Sequence, residues 1–143
     1  MRRGRPPAPP PAVVVDEGGE ASGMAAMVGD LIEANVSGSP TRRRVAGLEL
    51  GSVVLRSSER DLAVTVSFRG REVRVTGTPE PGAPALSGAW DDMARVVSGR
   101  RSPVAALLHR ELRAFPRRPL RPLLAAAYVL KVPRSVYREG GTR

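Results

Sequence analysis

The stretch Leu86–Leu112, LSGAWDDMARVVSGRRSPVAALLHREL, decides how the chain is read. It holds the end of a strand, a helix, a break, a second short helix and the start of another strand. Ser87-Gly88 closes a β-type run, and Trp90, Met93, Ala94 and Val97 then recur at helical spacing. Asp91 and Asp92 fall in the first turn, where carboxylates meet the positive end of the helix dipole; that placement accounts for the pair without an acid/base role. Gly99 is placed to stop the helix, because glycine takes the left-handed conformation at little cost. Ser102-Pro103 restarts it, with a hydroxyl to cap free N–H groups and a proline at the first helical position. Val104, Leu107 and Leu108 then share one apolar face, so the stretch reads as an apolar lid punctuated at both ends.

Upstream, the pattern changes twice. Residues 1–21 contain RPPAPPPA and the acidic, Gly-rich run Asp16 to Glu20, with little apolar surface to offset ordering; a disordered tail is expected. Its prolines would also suit a polyproline II ligand. From Ser22, a candidate N-cap, Met24, Met27, Val28, Leu31, Ile32 and Asn35 form one stripe of an amphipathic helix, read as core packing. Ser37-Gly38-Ser39-Pro40 ends it, and a short helix covers about Thr41 to Ala46.

Three strands are predicted next: Ser52–Arg56, Leu62–Phe68 and Glu72–Thr76. Leu62, Val64, Val66 and Phe68 alternate with Ala63, Thr65 and Ser67, and Val73 and Val75 alternate with charged or polar neighbours. The connections Glu59-Arg60-Asp61 and Arg69-Gly70-Arg71 are short, so these strands should be antiparallel. A proline-rich loop, residues 78–84, leads to a fourth short strand, Ala85–Ser87. One face of the sheet is apolar and needs a helical cover. A last helix from about Pro119 contributes the stripe Leu120, Leu123, Leu124, Ala127 and Tyr128, and ends at Val132-Pro133. Residues 22–133 thus form one domain, and residues 134–143 a basic tail.

Composition narrows the function classes. The chain has no cysteine and a single histidine, His109, so thiolate metal sites, disulfides and histidine triads find no support; no metal and no cofactor is expected. His109 is read as a surface or strand-edge residue. No apolar run approaches the ~20 residues that span a bilayer, and prolines interrupt the N-terminal arginines where a signal peptide needs a continuous apolar segment; a cytoplasmic location is expected. The net charge of +9 is unevenly spread. Residues 1–99 balance twelve arginines against twelve carboxylates, whereas residues 100–143 carry ten arginines and Lys131 against Glu111 and Glu139. Such a face suits anionic lipid headgroups or nucleic acid, or is simply solvated in an arginine-biased chain.

The order of these signals resembles the sterol carrier protein 2 (SCP2) family of lipid-binding domains. The resemblance rests on Trp90-Asp91-Asp92, Gly99, Ser102-Pro103, Ala106-Leu107-Leu108 and Leu112, and on the order of elements over about residues 24–132. It implies an α+β fold: a five-stranded, mainly antiparallel sheet covered on one face by about four to five helices. It further implies an apolar tunnel for a sterol, fatty acyl or isoprenoid lipid, with no catalytic residue. The tunnel would be lined by Val64, Val66, Phe68, Val73, Val75, Trp90, Met93, Val97, Leu107, Leu108, Leu120, Leu124 and Tyr128. Arg100, Arg101, Arg110, Arg113, Arg117, Arg118 and Arg121 flank these elements and would dock the tunnel mouth on an anionic membrane.

Two departures stand out. The family usually has glycine where this chain has Arg110, just before Glu111-Leu112, and often a second glycine where it has Phe115-Pro116. Proline removes a ladder donor, so the last strand is expected to be short or at an edge. Two further readings remain beside the carrier. A nucleic-acid binder using the basic C-terminal part would want exposed aromatics among its arginines, and the chain has only two Phe, two Tyr and one Trp. An enzyme or accessory protein acting on a hydrophobic metabolite would use the same tunnel as its substrate site.

Overall fold

The computed structural model describes residues 11–16, 18–97, 100–101, 103–115 and 121–131. In chain order they form β1 (Ala12–Val15), α1 (Ser22–Ser37), α2 (Pro40–Ala46), β2 (Gly51–Ser57), β3 (Leu62–Phe68), β4 (Glu72–Thr76), β5 (Ala85–Gly88), α3 (Trp90–Val97), α4 (Pro103–Leu108), β6 (Leu112–Phe115) and α5 (Arg121–Leu130). The predicted tail at residues 134–143 lies outside the described residues.

The strands make one sheet in the order β1-β4-β3-β2-β5-β6. The meander β2-β3-β4 is antiparallel, as the short connections require. The sheet is nonetheless six-stranded and mixed, not the five-stranded sheet expected, because β1 pairs parallel with β4 and β5 pairs parallel with β2. β1 corrects the expectation of disorder up to residue 21. Averaged over that segment the composition is polar, but Val13-Val14-Val15 is a run of β-branched residues suited to a pleated strand. The Ala12 amide donates to the Arg71 carbonyl (3.0 Å) and the Asp16 amide to that of Val75 (2.9 Å). β6 is short and lies at the sheet edge, where its neighbouring proline is tolerated.

Register explains which side chains the sheet buries. Paired residues point to the same face, which puts Val13 and Val15 in line with Val73 and Val75, then with Val66 and Phe68, Val53 and Leu55, Leu86, and finally Ala114. All of these belong to one hydrophobic core with Ala25, Val28, Ile32 and Val36 of α1 and Leu123, Ala126, Val129 and Leu130 of α5. Each fully buried valine or leucine contributes about 1.5–3 kcal/mol, so a one-residue slip of any central strand would be ruinous. α1 comes closest at Gly29, where a side chain would strike Val15. β5 meets β6 at Gly88, where a Cβ would lie 2.6 Å from Leu112 Cδ2 and 2.8 Å from the Glu111 carbonyl oxygen.

The other face is less open than its polar residues suggest. Residues 63–68 are all buried, because the 77–84 loop crosses β3. Thr65 Oγ1 donates to the Thr78 carbonyl (2.6 Å) and accepts from the Glu80 amide (2.9 Å). Ser52 and Ser67 share a hydroxyl hydrogen bond (2.8 Å). At the β1 edge, Arg74 bridges Glu72 (3.0 Å) and Asp16 (2.6 Å); the Glu72 hydrogen bond, then the Asp16 charge, raises its pKa above the usual arginine value.

The helix ends are fixed from a distance. α1 is preceded by Ala21 with no side-chain cap, so Ser22 is its first residue rather than its N-cap; the Ala21 amide bonds to the Gly77 carbonyl instead (3.0 Å). Ser39 caps α2, accepting from the Arg42 amide (3.3 Å). Buried Asn35 donates from Nδ2 to the Val129 and Leu130 carbonyls (both 2.9 Å). Arg42 Nε donates to the carbonyls of Tyr128 (3.2 Å) and Lys131 (2.9 Å), and its guanidinium sits 4.4 Å from the Tyr128 ring centroid. These contacts rotate α5 relative to its expected stripe. Leu123 and Ala127 of that stripe are buried, as are Pro122, Ala125, Ala126, Val129 and Leu130, whereas Leu124 is exposed and Tyr128 only half-buried.

Asn35→Ala strands two buried carbonyls, so it should lower unfolding stability by about 2–4 kcal/mol in urea titration. Glu33→Ala, on the exposed face of the same helix, should change it by less than about 0.5 kcal/mol.

Candidate lipid-binding site

The sheet's apolar face is roofed in two halves. α1 and α5 lie over β1, β4, β3 and β2, and α3 and α4 close the end toward β5 and β6. α3 is held at its start by the β2–β3 turn. The Trp90 amide donates to Glu59 Oε1 (2.8 Å), and the Arg60 guanidinium lies 5.7 Å from the Trp90 ring centroid. Asp91 and Asp92 are in its first turn. α4 packs on β6, and α3 packs on α4 and α5.

The sequence-predicted lining residues divide by depth. Val64, Val66, Phe68, Val73 and Val75 are fully buried on the sheet. Met93 and Leu107 are half-buried against that core, and Trp90 is half-buried at the start of α3. Leu108 and Leu124 are exposed, at 76% and 43%. The Val97 side chain and Leu120 lie outside the described residues. Phe115, which was not singled out as a site residue, is 79% exposed on β6. Leu108 and Leu124 are on the helical cover, whereas Phe115, paired with Ala85, is on the sheet face opposite the core-facing Ala114.

The flanking arginines also divide. Arg100, Arg110, Arg113 and Arg121 are exposed. Arg101 is paired with Glu111 (Nε–Oε1 2.7 Å), tying the residues after α3 to the turn before β6. Arg117 and Arg118 lie outside the described residues. Arg110 occupies φ +60°, the left-handed region that favours glycine. The chain therefore keeps the backbone of the glycine expected at that position while presenting a cation from it. His109 is exposed in the same turn. Among the described residues, no group of three or more His, Asp and Glu could hold a metal ion, and no helix is long and apolar enough to cross a membrane.

Sequence reasoning missed the Glu59 and Arg60 contacts to Trp90. Both residues read only as turn polar groups, and Trp90 lies 31 positions beyond Glu59. Arg42 was likewise hidden among three consecutive arginines.

No family model matches the sequence, and no curated protein matches it significantly. Solved structures do. The protein titled UbiJ-SCP2 ubiquinone synthesis protein superposes with a TM-score of 0.56 at 17% identity, over 76% of this chain and 96% of that one. The fold is that of the SCP2 domains. A crystal structure of sterol carrier protein 2 gives 0.53 at 17% identity, over 73% and 91%. A Thermus thermophilus protein, titled a conserved hypothetical protein and possible sterol carrier, gives 0.51 at 18% identity, over 83% and 90%. The SCP2-like fold is thus reached from the backbone, at 17–18% sequence identity.

Arg110→Gly relieves the left-handed strain, offset in part by the freer unfolded chain. It should raise unfolding stability by about 0.5–1 kcal/mol in denaturant titration. Arg113→Gly, within β6, should lower it.

Proposed function

We propose that the chain is a non-enzymatic, cytoplasmic lipid carrier. It binds a sterol, fatty acyl or isoprenoid molecule between the apolar face of its sheet and the α3–α4–α5 cover, and passes it to and from membranes. The observation that carries this reading is the exposure of Leu108 and Leu124 on two of the helices that form that cover. The likeness in fold to proteins titled sterol carrier protein 2 and ubiquinone synthesis protein supports an apolar cargo. Hydrocarbon burial alone supplies the affinity, at roughly 0.8 kcal/mol per CH₂, so such a site needs few polar groups.

Arg100, Arg110 and Arg121 dock this end on anionic lipid, with Leu108 entering the interface beside Arg110. The strained backbone of Arg110 fits that role: a cation kept where glycine would be easier is of use to something outside the fold.

Transfer of a fluorescent acyl lipid between vesicles, followed by loss of quenching, tests the proposal. The wild-type chain should accelerate transfer, more strongly when the acceptor vesicles contain phosphatidylserine. The double change Leu108→Glu, Arg110→Glu should weaken association with those vesicles about tenfold or more. Transfer no faster than the spontaneous rate would overturn the carrier reading, and indifference to phosphatidylserine would overturn the docking surface.

A further inference from the structure

The core face of the sheet carries one hydroxyl among its described residues. Along the register from Val13 and Val15 of β1, through the core-facing valines and leucines of β4, β3 and β2, to Leu86 and Gly88 of β5 and Leu112 and Ala114 of β6, the aligned residues are otherwise apolar. Ser57, the last residue of β2, is the exception. It is fully buried, and its Oγ has no hydrogen-bond partner among the described residues. Its cross-strand neighbours are Leu62 and Gly88, neither of which offers a polar side-chain atom.

A buried hydroxyl left unpaired costs stability that alanine at the same position would avoid. Ser57 also sits where the lid begins. Glu59, two residues on, caps the start of α3 through Trp90, and Trp90 follows Gly88 by two residues. The unpaired oxygen therefore lies on the core face of the sheet, at the strand ends from which the chain leads into α3.

We propose that Ser57 is the polar anchor of the lipid site, hydrogen-bonding an uncharged oxygen, a hydroxyl or a carbonyl, at one end of an otherwise hydrocarbon ligand. This rests on the carrier reading above and adds to it the chemistry of the cargo's polar end. The end is uncharged because, among the described residues, the sheet's core face holds no cation to pair with a carboxylate. Buried Arg42 is already committed to the carbonyls of Tyr128 and Lys131.

The test is displacement of the neutral dye Nile red from the full chain by dodecan-1-ol, dodecane and dodecanoate, with the wild type, Ser57→Ala and Ser57→Thr. Ser57→Ala should bind dodecan-1-ol about two- to tenfold more weakly, with dodecane unchanged and the melting temperature unchanged or raised; Ser57→Thr should recover the alcohol. Equal effects on alcohol and alkane, or none, would overturn the anchor while leaving the carrier standing. So would a lower melting temperature with unchanged alcohol affinity, which would assign the hydroxyl to a buried structural water. Dodecanoate bound more tightly than dodecan-1-ol by the wild type would overturn the uncharged class. A wild-type chain that takes up neither Nile red nor any of the three would overturn the carrier reading and the anchor together.

Discussion

Asn35 and Arg42 hold the end of α5, and much of the architecture follows from that. Helix ends leave four carbonyls without intrahelical partners; here Ala127, Val129 and Leu130 are buried, and the Lys131 amide reaches only the Ala127 and Tyr128 carbonyls. Asn35 supplies two donors to the Val129 and Leu130 carbonyls, while Arg42 supplies its own donor and a positive charge at the negative end of the helix dipole. With its end pinned, α5 cannot roll. Leu123, Ala126 and Leu130 face the core, Leu124 faces outward, and α3 finds a fixed surface to pack on.

The molecule accordingly has two differently built halves. Under α1, the core is closed by valines, isoleucine and small helix residues, with β1 fitted beneath Gly29. Toward β5 and β6, the cover is two short helices held by a carboxylate–amide contact, a cation over an indole ring and the Arg101–Glu111 pair. Polar tethers of this kind are individually weak and can open without disturbing the core. A site that must admit a hydrophobic guest is more easily built in the second half than in the first.

The sequence disclosed the periodic parts and hid the conditional ones. Alternation over Leu62–Phe68 and Glu72–Thr76, and the punctuated stretch from Leu86 to Leu112, located the meander, the lid and the edge strand because each pattern is local. β1 was obscured by its setting: three valines between a proline run and an acidic run count for little until β4 is there to receive them. The α5 stripe was legible but its phase was not, since an alanine-rich helix can bury several faces and Asn35 and Arg42 choose among them. Arg110 was recognisable as a departure from a glycine position. Only the backbone shows that the departure keeps glycine's conformation. Ser57 gives no signal in sequence, because an unpaired hydroxyl is a fact about its surroundings.

Whether this fold holds a hydrophobic molecule between sheet and helices is open to measurement. Native mass spectrometry of the full chain, purified gently and then incubated with a mixed lipid extract, addresses it most directly. A carrier should give a one-to-one adduct with a mass in the lipid range, released when the protein is unfolded by organic solvent. The bare polypeptide mass alone, before and after incubation, would contradict it.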